Sequence, residues 1–348
     1  MPTSCLSRPS SHAGRIVLAA LIAAHGAASA APQVVATLAL PDPVRWDYVS
    51  VDAASHRLYV AHRERVDVVD THDGKTVLQL APTPGVHGAA AAPDLDRVFT
   101  SNGGDDTVGV FEAATGKLLQ TLKAGKNPDA IVYEPATHRV FAFNKASSDV
   151  TVIDARSLKV LATLPLPGEP EFAVVDGHGR VHVNIEDRSE LAVLDAQALK
   201  VERHYGLGPC ERPNGLAIDP TGRLYSVCRN AVMVVTDPSQ GRVIGHAPIG
   251  NGADGVAWLD GKAYSANGRD GTISVVAETA EGGFATIATV PTALGARTIA
   301  AEPGEHRLYS PTASFKAQPA SAAASKTARP EAVAGTFRIL VLKDGEAR

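Results

Sequence analysis

The sequence predicts an all-β protein, a closed seven-bladed β-propeller of four-stranded antiparallel blades, and three observations carry that prediction. A short basic-then-apolar phrase recurs seven times at intervals of 39 to 45 residues. It reads RLYVAH from Arg57, RVFTSN from Arg97, RVFAFN from Arg139, RVHVNI from Arg180, RLYSVC from Arg223, KAYSAN from Lys262 and RLYSPT from Arg307. A fixed period of this size marks a repeat architecture. Within each period, four runs rich in Val, Ile, Phe and Tyr are bounded by Pro, Gly, Asn, Asp and Ser, the pattern of short strands joined by turns. No run of comparable length has a helical period, which disfavours parallel βαβ units. Four-stranded units of about forty residues repeated around an axis describe a propeller.

The elements follow in chain order. Residues 1–30 read as a secretory leader: Arg8 and Arg15 give a basic start, Ile16–Ala24 a short apolar core, and Ala28-Ser29-Ala30 a cleavage site. Cleavage near Ala30 would leave residues 31–348 as one propeller domain in the periplasm or secreted. Each unit then runs first strand, turn, repeat phrase, third strand, turn and outer strand. In the unit from 127 to 166 these are DAIVYEP, RVFAFN, DVTVIDA and KVLATLPL. The turn after the first strand recurs as ASHR, ATHR, PTGR and GEHR, and the turn after the third as THDGK, AATGK and ARSLK. Third strands recur from RVDVVD at 65–70 to FRILVLK at 337–343, after which no fourth run remains. QVVATLAL at 33–40 nearly copies KVLATLPL at 159–166. The N-terminal run is therefore expected to supply the outer strand of the last blade and so remove an open sheet edge. Between the second and third strands of that blade, residues 312–336 form a low-complexity insertion expected to be a flexible loop. It is either solvated filler or a lid or partner-contact arm, with Phe315, Lys316 and Arg329 as contacts.

The phrases RLYVAH and RVFTSN, followed by VTVIDARSLKVLATLPLPGEP, resemble the YVTN-type seven-bladed propellers of bacteria and archaea. The resemblance spans about 33–343. It implies export and a binding or scaffold role, and it brings no catalytic motif. Composition agrees: formal net charge is −4 with no basic stripe, so nucleic acid is not the expected partner. No segment after the leader is apolar enough to span a membrane. A monomer that binds a protein or a small polar ligand is expected.

Candidate site residues come from aligning the first strands. Asp47, His87, Asp129, Glu171, Asn214, Asp254 and Arg297 fall at similar positions, one per blade. Four are carboxylates, and converging oxygens suit a polar ligand or a hard cation such as calcium. Asp and Asn also favour turns for local reasons, so a wet polar funnel is the plainer alternative. Trp46 and His62 are further candidate contacts, beside Arg45, Tyr48, Arg63 and Arg65. Trp46 and Tyr48 either wall a pocket or pack between blades. Asn102, Asn144 and Asn267 end second strands and read as turn residues. His56, His138 and His306 share one turn on the opposite face and read as structural. No HExxH, CxxC or GxSxG is present. ERPNGLAIDPTGRLYSV is similar to a phrase of the gluconolactonase-like propellers, whose rings have six blades against the seven counted here. That resemblance implies a metal-dependent lactonase or esterase with Glu171, Asn214 and Asp254 as metal ligands. An accessory role in a periplasmic redox system is a third reading. Cys210 lies before blade five and Cys228 near the end of its second strand. They are expected to meet on one face as a disulfide in an oxidising compartment, with two free thiols as the alternative.

Overall fold

The computed structural model describes residues 1–4, 31–40, 45–316 and 331–343. The leader-like segment from 5 to 30 and Arg329 of the insertion lie outside the described residues. The described residues form seven four-stranded antiparallel sheets, as the repeat requires. In blade three the strands are Pro128–Glu134, Arg139–Asn144, Asp149–Asp154 and Lys159–Pro165. The repeat phrase is the second strand, paired in register from Arg139↔Asp154 to Asn144↔Asp149. The last blade is ordered Gln33–Ala39, Arg338–Lys343, Arg307–Thr312, Ala300–Glu302. Thr37 pairs with Leu340, so the N-terminal run does close the ring.

Burial explains the phrase. Each second strand lies between two neighbouring sheets and is covered on both faces, so it reads as a near-continuous apolar run. In Arg139–Asn144 every residue after the arginine is buried. Outer strands meet solvent, and Lys159–Pro165 is exposed apart from the half-buried Ala162 and Leu164. The core is correspondingly divided among blade interfaces: Phe141, Phe143 and Val152 of blade three pack with Val181, Val183 and Leu194 of blade four. The first strands come close around the axis. A Cβ on Gly215 would stand 2.7 Å from the Gly255 Cα, and one on Gly255 would stand 2.9 Å from the Thr298 Cα.

The arginine that opens the phrase has its own task. Arg97 donates to the backbone oxygens of Ala155 and Arg156 in the outer turn of the next blade. Arg139 does the same to Ala196 and Gln197, and Arg307 to Thr71 across the closing seam. The turn histidines work in the other direction. His56, His138 and His306 sit at φ of 53°, 50° and 53°, a left-handed turn position. Their Nδ1 atoms lie 3.3, 2.9 and 2.6 Å from Glu302, Asp94 and Asp260, each on the preceding blade. The strand-end asparagines brace hairpins: Asn144 donates to Asp149 and Thr151, and Asn267 to Thr272 and Ser274.

Cys210 and Cys228 form a disulfide with Cα atoms 5.4 Å apart. The insertion departs from the loop expected across 312–336. Its two ends pair, with Phe315 bridged to Ala332, Lys316 N donating to Glu331 O and Val333 N to Ser314 O. Phe315 anchors this stem against Trp46, with ring centroids 6.1 Å apart.

Candidate functional site at the channel mouth

Loops entering the first strands and loops leaving the second strands meet around one mouth of the axis. The seven aligned residues meet there too, and most are cross-linked to a neighbour. His87 Nδ1 donates to Asp47 at 2.7 Å and lies 3.5 Å from Asp129. Asn214 Nδ2 donates to Asp254 at 2.9 Å. Arg297 Nε donates to the other Asp254 oxygen at 2.8 Å, and its NH2 reaches the Trp46 carbonyl at 2.9 Å and Asp47 at 3.6 Å. Asp129, Glu171 and Asn214 are buried, while Asp47, His87, Asp254 and Arg297 are half-buried. The Asn214 Oδ1 is buried with no hydrogen-bond partner among the described residues, an open acceptor in the ring.

Four residues outside the aligned set complete the electrostatics. Lys145 bridges Glu171 and Glu186, 2.8 Å from the latter. Glu186 also receives Arg212 at 2.9 Å and Arg229 at 2.8 Å and is almost fully buried, at 1% exposure. Lys145, Glu186 and Arg229 each directly follow a repeat phrase, at the offset that holds Gly103 and Gly268 in other blades. That shared offset, with charge in some units and glycine in others, is the sequence signal that aligning first strands alone passes over. Every carboxylate of the ring thus faces a cationic side chain of its own chain.

The charges shift one another. Burial would lower the His87 imidazole, but the Asp47 hydrogen bond and the Asp129 and Asp47 charges outweigh it and hold it up at about 9. Burial pushes the Glu171 carboxyl up, with Asp129 adding and Lys145 opposing. Asp129 is raised by burial and by Asp47, against the pull of His87. Glu186 goes the other way: burial opposes it, but the Lys145 hydrogen bond, the Lys145 and Arg229 charges and the Arg212 hydrogen bond hold it below the usual range. A buried carboxylate stays ionised when it is this fully paired.

Beneath the ring the axis narrows. Tyr48 of blade one meets Phe172 of blade four edge-on, with centroids 5.0 Å apart. Together with Gly88, Ala89, Ala130, Ile131 and Ala173 they leave a space of about 40 Å³. That holds a water or two, against roughly 300 Å³ or more for a small-molecule pocket.

Two candidate contacts are placed inside the walls instead. Trp46 packs between the first and last blades on Phe337, and its ring lies under the Arg297 guanidinium. His62 is 1% exposed and its Nε2 is bonded to Asp67, which Arg65 and Gln79 also hold. Both side chains are buried. For the metal set, Glu171 pairs with Lys145, while Asn214 and Arg297 both donate to Asp254. Among the described residues, the His, Cys, Asp and Glu groups whose donor atoms all approach within 4.8 Å are Asp47–His87–Asp129 and His56–His72–Glu305; neither contains Glu171 or Asp254.

Solved structures share this fold. The chain superposes on the RRP9 WD40 repeats with a TM-score of 0.75 at 11% identity, covering 91% of this chain and 100% of that one. The shared fold is that of a seven-bladed β-propeller. A chain of the mitotic checkpoint complex gives a TM-score of 0.69 at 13% identity, covering 89% and 95%. In sequence, 89 residues are 34% identical to an uncharacterized WD repeat-containing protein of Synechocystis sp.. That match spans only 25% of this chain and 26% of the relative. No protein-family model matches, so the YVTN resemblance stands on the repeat phrases.

Proposed function

We propose that this WD40-type propeller is an exported binding scaffold that presents its channel mouth to a protein partner. The observation that carries the reading is the closed mouth: the ring residues hold one another, and the space below them is only about 40 Å³. A mouth built this way acts as a rigid surface rather than a pocket. Its rim offers Arg212 and Arg229, half-exposed at 50% and 52% while anchored on Glu186, the pre-organised arginines that interfaces favour. A structural neighbour belongs to a named multiprotein assembly, the mitotic checkpoint complex, which fits a protein-binding use of the fold. Export is supported by the leader-like residues 1–30 and by the Cys210–Cys228 bond, which suits an oxidising compartment. Among the described residues no helix is long and apolar enough to cross a membrane. The lactonase-like alternative requires Glu171, Asn214 and Asp254 to exchange their present partners for a cation. A small polar ligand would sit on the ring, at the open Asn214 oxygen.

A photo-crosslinking residue at Arg212 should capture a discrete protein in cells, and the same residue at Val160 on an exposed outer strand should not. Equal capture from both positions, or none from Arg212, would sink the mouth as a docking face. N-terminal sequencing should find a mature chain beginning at Ala31; an intact Met1 would remove the export half of the proposal.

A further inference from the structure

The turn end of the propeller holds a second cluster, at the seam where the ring closes. His56 and His72 belong to blade one and Glu305 to blade seven. One donor atom from each lies within 4.8 Å of the other two. The two imidazole rings lie with centroids 3.9 Å apart.

The repeat shows what is special here. His56, His138 and His306 are equivalent turn residues, each held by a carboxylate on the preceding blade. What differs is the company. Where blade one has His72 in its outer turn, other blades have Ala114, Arg156, Gln197 and Ser239. In blade three that residue is Arg156, whose guanidinium contacts the Nε2 of His138 at 2.6 Å. Where blade seven has Glu305 in its inner turn, other blades have Ser55, Leu95 and Thr137. A histidine beside the turn histidine and a carboxylate facing both coincide at the closing seam.

The surroundings are those of a built site. Glu302, at 1% exposure, takes the Nδ1 of His56 at 3.3 Å. Thr71 and Tyr309 donate to its two oxygens, both at 2.6 Å, and fix it in place. A second carboxylate that orients a histidine is the outer-shell partner that ligating imidazoles commonly carry. His72 and Glu305 remain accessible from solvent.

We infer that His56, His72 and Glu305 form a zinc-class divalent metal site that bridges the first and last blades. Two imidazole nitrogens and one carboxylate oxygen suit Zn²⁺, with solvent as a fourth ligand, whereas calcium and magnesium prefer all-oxygen sets. Because the ligands come from both sides of the seam, the bound ion would staple the ring where its two ends meet.

The test uses the purified chain without a histidine tag, stripped by a chelator and titrated with ZnCl₂ by calorimetry. One Zn²⁺ per chain is expected, with an accompanying rise in melting temperature and no competition from calcium or magnesium. His72→Ala and Glu305→Gln should each weaken uptake by about tenfold or more. His138→Ala, at the equivalent turn of blade three, should leave it unchanged. His72 is exposed, so its variant should fold as the metal-free wild type does, checked by circular dichroism. Absence of stoichiometric uptake, or uptake unaffected by His72→Ala, overturns the site. The second result would also follow from binding at the Asp47–His87–Asp129 group.

Discussion

The two ends of this propeller are tied together by different means. At the turn end the same devices recur. Arg97, Arg139 and Arg307 each reach forward to the next blade's outer turn, and His56, His138 and His306 each reach back to a carboxylate on the blade before. At the mouth the ties do not recur. His87 lies between two aspartates, Arg297 joins Asp254 to Asp47, and Lys145 joins Glu171 to Glu186. A repeated bond shares the work of holding the ring, so any one can be lost cheaply. A single bond among buried charges has no duplicate, and its removal strands its partners. Repetition here marks support, and departure from repetition marks a surface with its own task.

Substitutions can break that comparison. Lys145→Met leaves Glu171 buried without its cation, and breaking such a pair costs about 3–5 kcal/mol. Urea unfolding should show the largest loss of stability for this variant. A cost below that of Arg139→Ala would mean that the mouth charges are not singular supports. Replacing Cys210 and Cys228 together by serine should cost about 3 kcal/mol by the same measurement, with the 18-residue span setting the loop entropy. A negligible change would detach the bond from mouth rigidity.

His87 predicts a pH window. Its folded pKa of about 9 stands above the ordinary 6.5. The stability it contributes is therefore fully present below about pH 6.5 and lost as pH rises through about 9. Roughly 2–3 kcal/mol should disappear across that range and be absent in His87→Gln. A variant with the wild-type pH profile would show that the imidazolium is not what joins Asp47 to Asp129. Arg139→Ala should give the smallest effect, about 1–2 kcal/mol, because only one of its two hydrogen bonds is part-buried and the other is exposed. A loss as large as that of Lys145→Met would show that the repeated ties are not shared.

Much of the architecture was legible because it rests on period and alternation. The phrase from Arg139 to Asn144 announces a strand covered on both faces, and the likeness of 33–40 to 159–166 announces the closing strand. The ring from Asp47 to Arg297 was legible as positions, since one residue per blade falls at the same offset. Its chemistry was not, because pairing depends on loops that enter from other strands. Lys145 and Glu186 turn an acidic funnel into a balanced network, and neither belongs to the aligned offset. His62 and Trp46 are buried for a related reason. Each stands beside the mouth in sequence, but His62 ends a second strand covered on both faces, and Trp46 is drawn into the wall by Phe337. The paired ends of the insertion escaped notice because a two-residue ladder leaves no periodic signal.

Thr37 and Leu340 meet in the sheet although nearly the whole chain lies between them. The other six blades are each assembled from neighbouring strands, so they can form as the chain emerges. The seventh waits for residues from both ends, and loop closure over such a distance is entropically expensive and slow. Until then the molecule is an arc with an uncovered strand at Arg338–Lys343, open to pairing with a second copy. The vulnerable moment in the life of this protein is therefore the interval between synthesis of its last strand and capture of its first.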